Sequence, residues 1–246
     1  MITIITATYN AQASLPTLIA SLRSQTDRSF EWVVMDGASE DATVELLKNA
    51  HDVLTRWVSE PDFGIYHALN KALQMARGDY YLVVGADDCL DPRAIEHFSR
   101  AAAESSADII SAPVLVEGKQ IAPRRRMSWL RSGPPMVSAH SVGSLIKRSL
   151  HREIGPYSKR YPIAADTYFL LQVWRRQKQF AYLQQTVGTF GTTGLSSGDT
   201  LGALCESFRA NVEVRGRLFL HVMLLLVRII ANRARITAGL KRHRPR

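Results

Sequence analysis

The sequence predicts an α/β fold, a mostly parallel sheet covered by helices, and three observations predict it. Apolar, β-branched runs alternate with segments whose apolar residues recur at helical spacing. Polar clusters follow the early strand-like runs directly, where an open parallel sheet binds its ligands. The 246 residues, 46% of them hydrophobic, suffice for one large domain with its own core and not comfortably for two. The expected organisation is a domain over residues 1–200 and a basic, amphipathic helical tail over 201–246.

The elements follow in order. Ile2 to Ala7 is a short apolar run that reads as a buried strand, with no leader expected in front of it. Ser14 looks like a helix cap, and Leu15, Leu18, Ile19 and Leu22 carry a helix through Leu15 to Gln25. Phe30 to Met35 returns to strand character just before Asp36. The alternation continues with a helix near Asp41 to Ala50, a strand near Val53 to Ser59, a helix from Ile65 to Ala76 ending at Gly78, and a strand from Tyr80 to Val84. Pro92 to Ser105 reads as helix, Ile109 to Val116 as strand, and Glu117-Gly118-Lys119 as a hairpin turn.

Beyond the hairpin, Pro123 to Ser138 holds Arg124, Arg125, Arg126, Arg131 and the pair Pro134-Pro135. Such a segment suits a basic loop near a polyanionic ligand, and equally a solvated loop. Gly155-Pro156 and Gly188 to Gly198 read as loops within one domain, Thr167 to Arg175 as helix, and the chain from Leu201 onward as one long helix or two.

The charge is uneven. Residues 209–246 carry ten Lys or Arg against one acid, Glu213, and so account for the whole net charge of +9. A basic balance spread over the surface would point to nucleic acid, whereas one confined to a tail beside an apolar run points to an anionic membrane surface. Leu218 to Val227 is apolar except for His221, too short for the roughly 20 residues a membrane span needs. On a helix at about 100° per residue, Arg217, His221, Arg228, Asn232 and Arg235 fall within about 60°. A narrow polar stripe on an otherwise apolar helix suits an anchor lying in the membrane interface, or a helix packed on the domain or on a second subunit as a homo-oligomer. Cys89 and Cys205 show no metal-ligand spacing, and a reducing cytoplasm is the natural compartment, with the protein peripheral on the inner face of the membrane.

Three polar clusters carry the chemistry: Thr8-Tyr9-Asn10 after the first strand, Asp36 to Asp41 after the second, and Gly85-Ala86-Asp87-Asp88 after the fourth. All converge on one edge of the sheet, where a nucleotide would sit. A strand-ending Asp accepts hydrogen bonds from a base or ribose, and paired acids hold a divalent cation against a diphosphate, although adjacent acids at a turn also serve as helix caps. A nicotinamide oxidoreductase would want a Gly-x-Gly-x-x-Gly turn after the first strand, and the lack of glycine in Thr8 to Ser14 counts strongly against it. A nucleotidyltransferase would want a Gly-rich basic loop there, and a non-catalytic nucleic-acid binder would leave Asp36, Asp87, Asp88 and Asp166 without a role.

Over roughly residues 2–198 the sequence resembles the family 2 glycosyltransferases of the GT-A fold. The stretches that carry the resemblance are Thr6 to Asn10, Asp36 to Thr43, Ser59 to Ala72, Gly85 to Asp88, Ala139-His140-Ser141, Ala164-Ala165-Asp166 and Gly191 to Ser197. It departs from the usual pattern at Ala86, Ala165 and Ser141. The resemblance implies an inverting transfer of a sugar from a nucleotide-diphosphate sugar to an acceptor hydroxyl, with a bacterial surface-polysaccharide setting and a saccharide or lipid-linked acceptor. It implies that Asp88 is the main ligand of a divalent cation, Mn2+ or Mg2+, and that Asp36 contacts the base. Thr8, Tyr9, Asn10, Asn70, Lys71 and Asp87 would line the nucleotide sugar, and His140 would touch acceptor or metal. Asp166 is then the candidate general base, since it follows an apolar run and opens a helix; its other role would be that helix's N-cap.

Overall fold

A computed structural model describes residues 1–123, 137, 138, 140–191 and 199–242. In chain order, β1 (Ile2–Thr8), α1 (Leu15–Arg23), β2 (Phe30–Asp36), α2 (Thr43–Lys48), β3 (Arg56–Ser59), α3 (Ile65–Met75) and β4 (Tyr80–Val83) form the alternating first part. There follow β5 (Cys89–Leu90), α4 (Ala94–Glu104), β6 (Ile109–Ser111), β7 (Val114–Val116), β8 (Lys119–Ile121), a 3-10 turn (Ser141–Gly143), β9 (Ser144–Lys147) and α5 (Leu150–Ile154). The chain continues through α6 (Ala165–Arg175), β10 (Phe180–Tyr182), β11 (Gly188–Thr189), α7 (Thr200–Arg215), α8 (Leu218–Ala231) and α9 (Arg233–Arg242).

Seven strands form the central sheet in the order β10-β6-β9-β4-β1-β2-β3, parallel except for β9, which runs antiparallel to both neighbours. Strand β1 is buried along nearly its whole length, as a central parallel strand covered on both faces must be. Alternate residues feed two cores. Ile2, Ile4 and Trp32 pack with α1 and α4 on one face, while Ile5, Val33 and Tyr81 pack with α3, α6 and α7 on the other. The register sets Thr8 beside Asp36 and Asp36 beside Ser59, so three strands end together at one edge.

Several local expectations are corrected. Ser14 sits at the α1 N-cap position without capping: its hydroxyl donates to the Ala11 carbonyl, and the helix start relies on a proline in its first turn. The strand expected over Ile109 to Val116 breaks between Ser111 and Val114, where Pro113 has no N–H to donate to a ladder. Its second half enters a separate four-stranded sheet, β5-β11-β7-β8. The hairpin turn stands where expected, with Glu117 at φ 49° and Gly118 at φ 74°, the paired positive angles of a two-residue hairpin. The basic stretch at 124–136 lies outside the described residues.

Among the described residues the C-terminal part is three helices. Gly216 (φ 67°) and Arg217 (φ 55°) are both left-handed and end α7, so Arg217 stands outside α8. Because α8 ends at Ala231, Arg235 belongs to α9, and the five-residue polar stripe does not run along one helix. Within α8, His221 is buried whereas Leu218, Phe219, Val222, Met223, Leu226, Val227 and Ile230 are exposed, Phe219 to 80%. Among the described residues no helix is long and apolar enough to cross a membrane.

Candidate functional site

At the shared strand edge, Asp36 is only 1% exposed and accepts four hydrogen bonds. Thr8 Oγ1 (2.9 Å) and Ser39 Oγ (2.5 Å) donate to its Oδ1, while the Ser39 amide (2.9 Å) and Ser59 Oγ (2.6 Å) donate to Oδ2. Burial pushes the carboxyl up, but hydrogen bonds to a charged acceptor contribute about 1.5–3 kcal/mol each, and together they hold it below the usual carboxylate range. This corrects the expectation for Asp36. A saturated, buried carboxylate ties the three strand ends together and has no oxygen to offer a nucleotide base. Thr8 is likewise turned inward to Asp36.

Tyr9 and Asn10 stand outside this knot. Tyr9 is 65% exposed, and its ring lies against the backbone at Gly37. Asn10 adopts φ 49°; its amide donates to Ser39 Oγ (2.8 Å) and its Oδ1 accepts from the Glu40 amide (2.9 Å). The side chain thus stitches the first loop to the second and leaves Tyr9 as an open platform between them.

The acidic turn places its two carboxylates differently. Asp88 is 1% exposed, with Oδ2 accepting from the Gly85 amide (2.7 Å) and Oδ1 from the Gly191 amide (2.8 Å). Burial, with a smaller contribution from the Asp87 charge, pushes its carboxyl up to about 7 against the pull of the two amides. Asp87 is half-buried and faces Gly191 so closely that a Cβ there would meet its Cγ at 2.3 Å. Glycine at 191 therefore lets the C-terminal loop close against the acidic turn. Residues 192–198 of that loop lie outside the described residues. His140 packs its ring on Phe190, centroids 4.0 Å apart, beside the same loop, and burial lowers its pKa.

The two acids differ in how their oxygens are engaged. Each Asp88 oxygen already accepts from a main-chain amide inside the turn, whereas Asp87 is half-buried and packs against Gly191. Among the described residues no three Asp, Glu, His or Cys side chains converge as a metal site. One carboxylate backed by a buried second fits a hard cation that keeps waters and completes its shell with phosphate oxygens.

In the segment Ser59 to Ala72, Lys71 pairs with Glu60. Asn70 bonds both ways to one residue: its Nδ2 donates to the Tyr157 carbonyl and its Oδ1 accepts from the Tyr157 amide, each at 2.9 Å. It braces α3 to the segment before α6.

Tyr66 joins this segment to Asp166. Its hydroxyl lies 2.9 Å from Asp166 Oδ1 and 3.0 Å from the Ile163 carbonyl. Burial and the Asp166 charge keep the phenol protonated, so it donates. Asp166 Oδ1 also receives the Thr167 amide at 2.6 Å. Asp166 is inside the first turn of α6, whose N-cap position is Ala164, so the capping alternative is corrected as well. Burial raises the Asp166 carboxyl above its ordinary value despite these bonds. The Tyr66 contact joins Asp166 to the start of α3 across 100 positions of chain, a distance no local pattern spans.

Known proteins resemble the chain at every level. The family model described as "Glycosyl transferase family 2" matches residues 3–168. A PGL/p-HBAD biosynthesis glycosyltransferase of Mycobacterium tuberculosis is 26% identical over 236 residues, covering 93% of this chain and 90% of that one. The crystal structure of S. aureus TarS 1–349 in complex with UDP superposes with a TM-score of 0.68 at 17% identity, over 94% of this chain and 72% of that one. A mannosyltransferase from Pyrobaculum calidifontis, in complex with GDP-Man and Mn2+, gives 0.68 at 18% identity over 95% and 75%. At these identities the two structures establish the fold.

Proposed function

The chain belongs to glycosyl transferase family 2 and has the GT-A fold, and from that premise we propose that it is an inverting enzyme using a nucleotide-diphosphate sugar and a saccharide or lipid-linked acceptor in cell-surface polysaccharide assembly. The observation that carries the reading is the Tyr66–Asp166 hydrogen bond, which ties a partly buried carboxylate of raised pKa to the helix that follows the third strand end. The neighbouring structures holding UDP and GDP-Man with Mn2+ support the donor class.

In this reading the nucleotide lies across Tyr9 and the loops after β1 and β2, while Lys71, released from Glu60, meets the diphosphate. A divalent cation held at Asp87 would neutralise charge on the departing nucleoside diphosphate. Asp166 takes the proton of the acceptor hydroxyl as its oxygen attacks the anomeric carbon, and the bond from that carbon to the diphosphate breaks with its electron pair leaving on the diphosphate. Both hydrogen bonds to Asp166 described above fall on Oδ1, which directs the proton to Oδ2. His140 flanks the acceptor side. The test is sugar transfer from a panel of UDP- and GDP-sugars with Mn2+ or Mg2+; thermal stabilisation by none of them would reject the donor class.

Tyr66→Phe is expected to slow transfer and move the acidic limb of its pH profile upward. The phenol lowers the Asp166 pKa, so its loss raises it further. An unmoved limb would disconnect Tyr66 from the base.

The outward apolar face of α8, beside the basic residues of the tail, supports a peripheral seat on anionic lipid at the cytoplasmic face, with free Cys89 and Cys205 consistent with a reducing compartment. Deletion of residues 217–246, which spares α7, is expected to abolish flotation with phosphatidylglycerol vesicles. Continued flotation rejects the membrane seat; loss of a dimer without any lipid binding assigns the face to a second subunit.

A further inference from the structure

Helix α7 follows the residues matched by the family model, yet two of its side chains grip the segment that carries Asp166. Glu206 Oε2 accepts from the amides of Ile163 (2.8 Å) and Ala164 (2.9 Å), the residues immediately before α6. Seven positions on, and so on the same helix face, Glu213 accepts from the hydroxyls of Tyr161 (2.8 Å) and Tyr168 (2.7 Å) and pairs with Arg160 (3.1 Å). The two carboxylates thus hold residues 160–168 from both sides of Asp166.

The local sequence explains why such a hold is required. The N-cap position of α6 is Ala164, whose side chain accepts nothing, so the amides of Ile163 and Ala164 leading into the helix receive no acceptor from the cap residue. Glu206 supplies that acceptor from another helix, and its negative charge suits the positive end of α6. Tyr66 fixes the side chain of Asp166, and α7 fixes the backbone that bears it.

We propose that Glu206, supported by Glu213, is a positioning residue for the base, so that α7 is part of the catalytic unit and not of a detachable tail. The proposal rests on the reading of Asp166 as the proton acceptor. A unit that ended near residue 200 would leave the backbone before Asp166 unheld, and a cut at residue 209 would remove Glu213 from the middle of α7.

The test uses the full chain and four variants: Glu206→Ala, Glu206→Gln, Glu213→Gln and Asp166→Asn. A displacement of the base by about 1 Å costs on the order of 100-fold in rate. Glu206→Ala is expected to lose kcat by about that factor while its calorimetric affinity for UDP or GDP with Mn2+ stays at the wild-type value. Glu206→Gln keeps an oxygen for the two amides and is expected to recover most of the rate, which general destabilisation of α7 would not predict. Glu213→Gln is expected to fall between them. Wild-type kcat in Glu206→Ala, or equal losses of kcat and nucleotide affinity, overturns the positioning role. If Glu206→Ala is insoluble, Glu213→Gln decides: a kcat loss with unchanged affinity supports the clamp, and unchanged kcat overturns it. Near wild-type transfer by Asp166→Asn would instead reject the base itself, so the two failures are separable.

Discussion

Asp166→Asn is expected to reduce transfer by about two to four orders of magnitude while leaving nucleotide and cation affinity near wild type. The change is close to isosteric, and the amide oxygen still accepts from Tyr66 and the Thr167 amide. Folding should therefore survive. What disappears is the proton acceptor, and an acceptor hydroxyl is a poor nucleophile at neutral pH. Burial raises the wild-type carboxyl, so transfer should fall as pH drops through a pKa above the usual carboxylate range, and that limb should vanish in the variant. Turnover and donor affinity measured across pH check both statements. An Asp166→Asn enzyme with near wild-type turnover would eliminate the assignment.

Asp87→Asn is expected to make donor binding and turnover nearly insensitive to Mn2+ or Mg2+, with turnover reduced by about two orders of magnitude or more. Stabilising charge on a departing diphosphate is worth several kcal/mol, and about 1.4 kcal/mol corresponds to each factor of ten. A chelator should produce a similar loss in the wild type. Asp88→Asn should behave differently. Its carboxylate stands between the Gly85 and Gly191 amides, and an NH2 group replacing one oxygen would face a donor. That leaves a buried donor unpaired, at about 1–3 kcal/mol, and should lower the melting temperature even without nucleotide. Calorimetric titration and thermal melts of both variants separate the roles; metal dependence lost in Asp88→Asn and kept in Asp87→Asn would restore Asp88 as the ligand.

The alternation of strands and helices was legible in the chain because each element writes its own period: continuous apolar runs for strands buried on both faces, helical spacing for those that cover them. The positions of the early polar turns followed from the same pattern, since ligand-facing residues begin where parallel strands end. The orientation of individual side chains was not legible. Asp36 and Asp88 are acids at strand ends like any others in the sequence; only the hydroxyls and amides brought in by Ser39, Ser59 and Gly191 turn them inward. The break at Pro113 carried a local signal in its missing N–H, but the second sheet that receives β7 is formed by strands distant in the chain.

By itself the sequence determined the fold class, the edge of the sheet where chemistry gathers, and the family, because these depend on periodicity and on short contiguous stretches. Only the tertiary structure decided that Tyr66 meets Asp166, that Glu206 and Glu213 hold the segment around it, and that α8 turns its apolar face outward. Those contacts join residues about 40 to 100 positions apart, and a hydrogen bond between them depends on how helices dock, which no local spacing encodes.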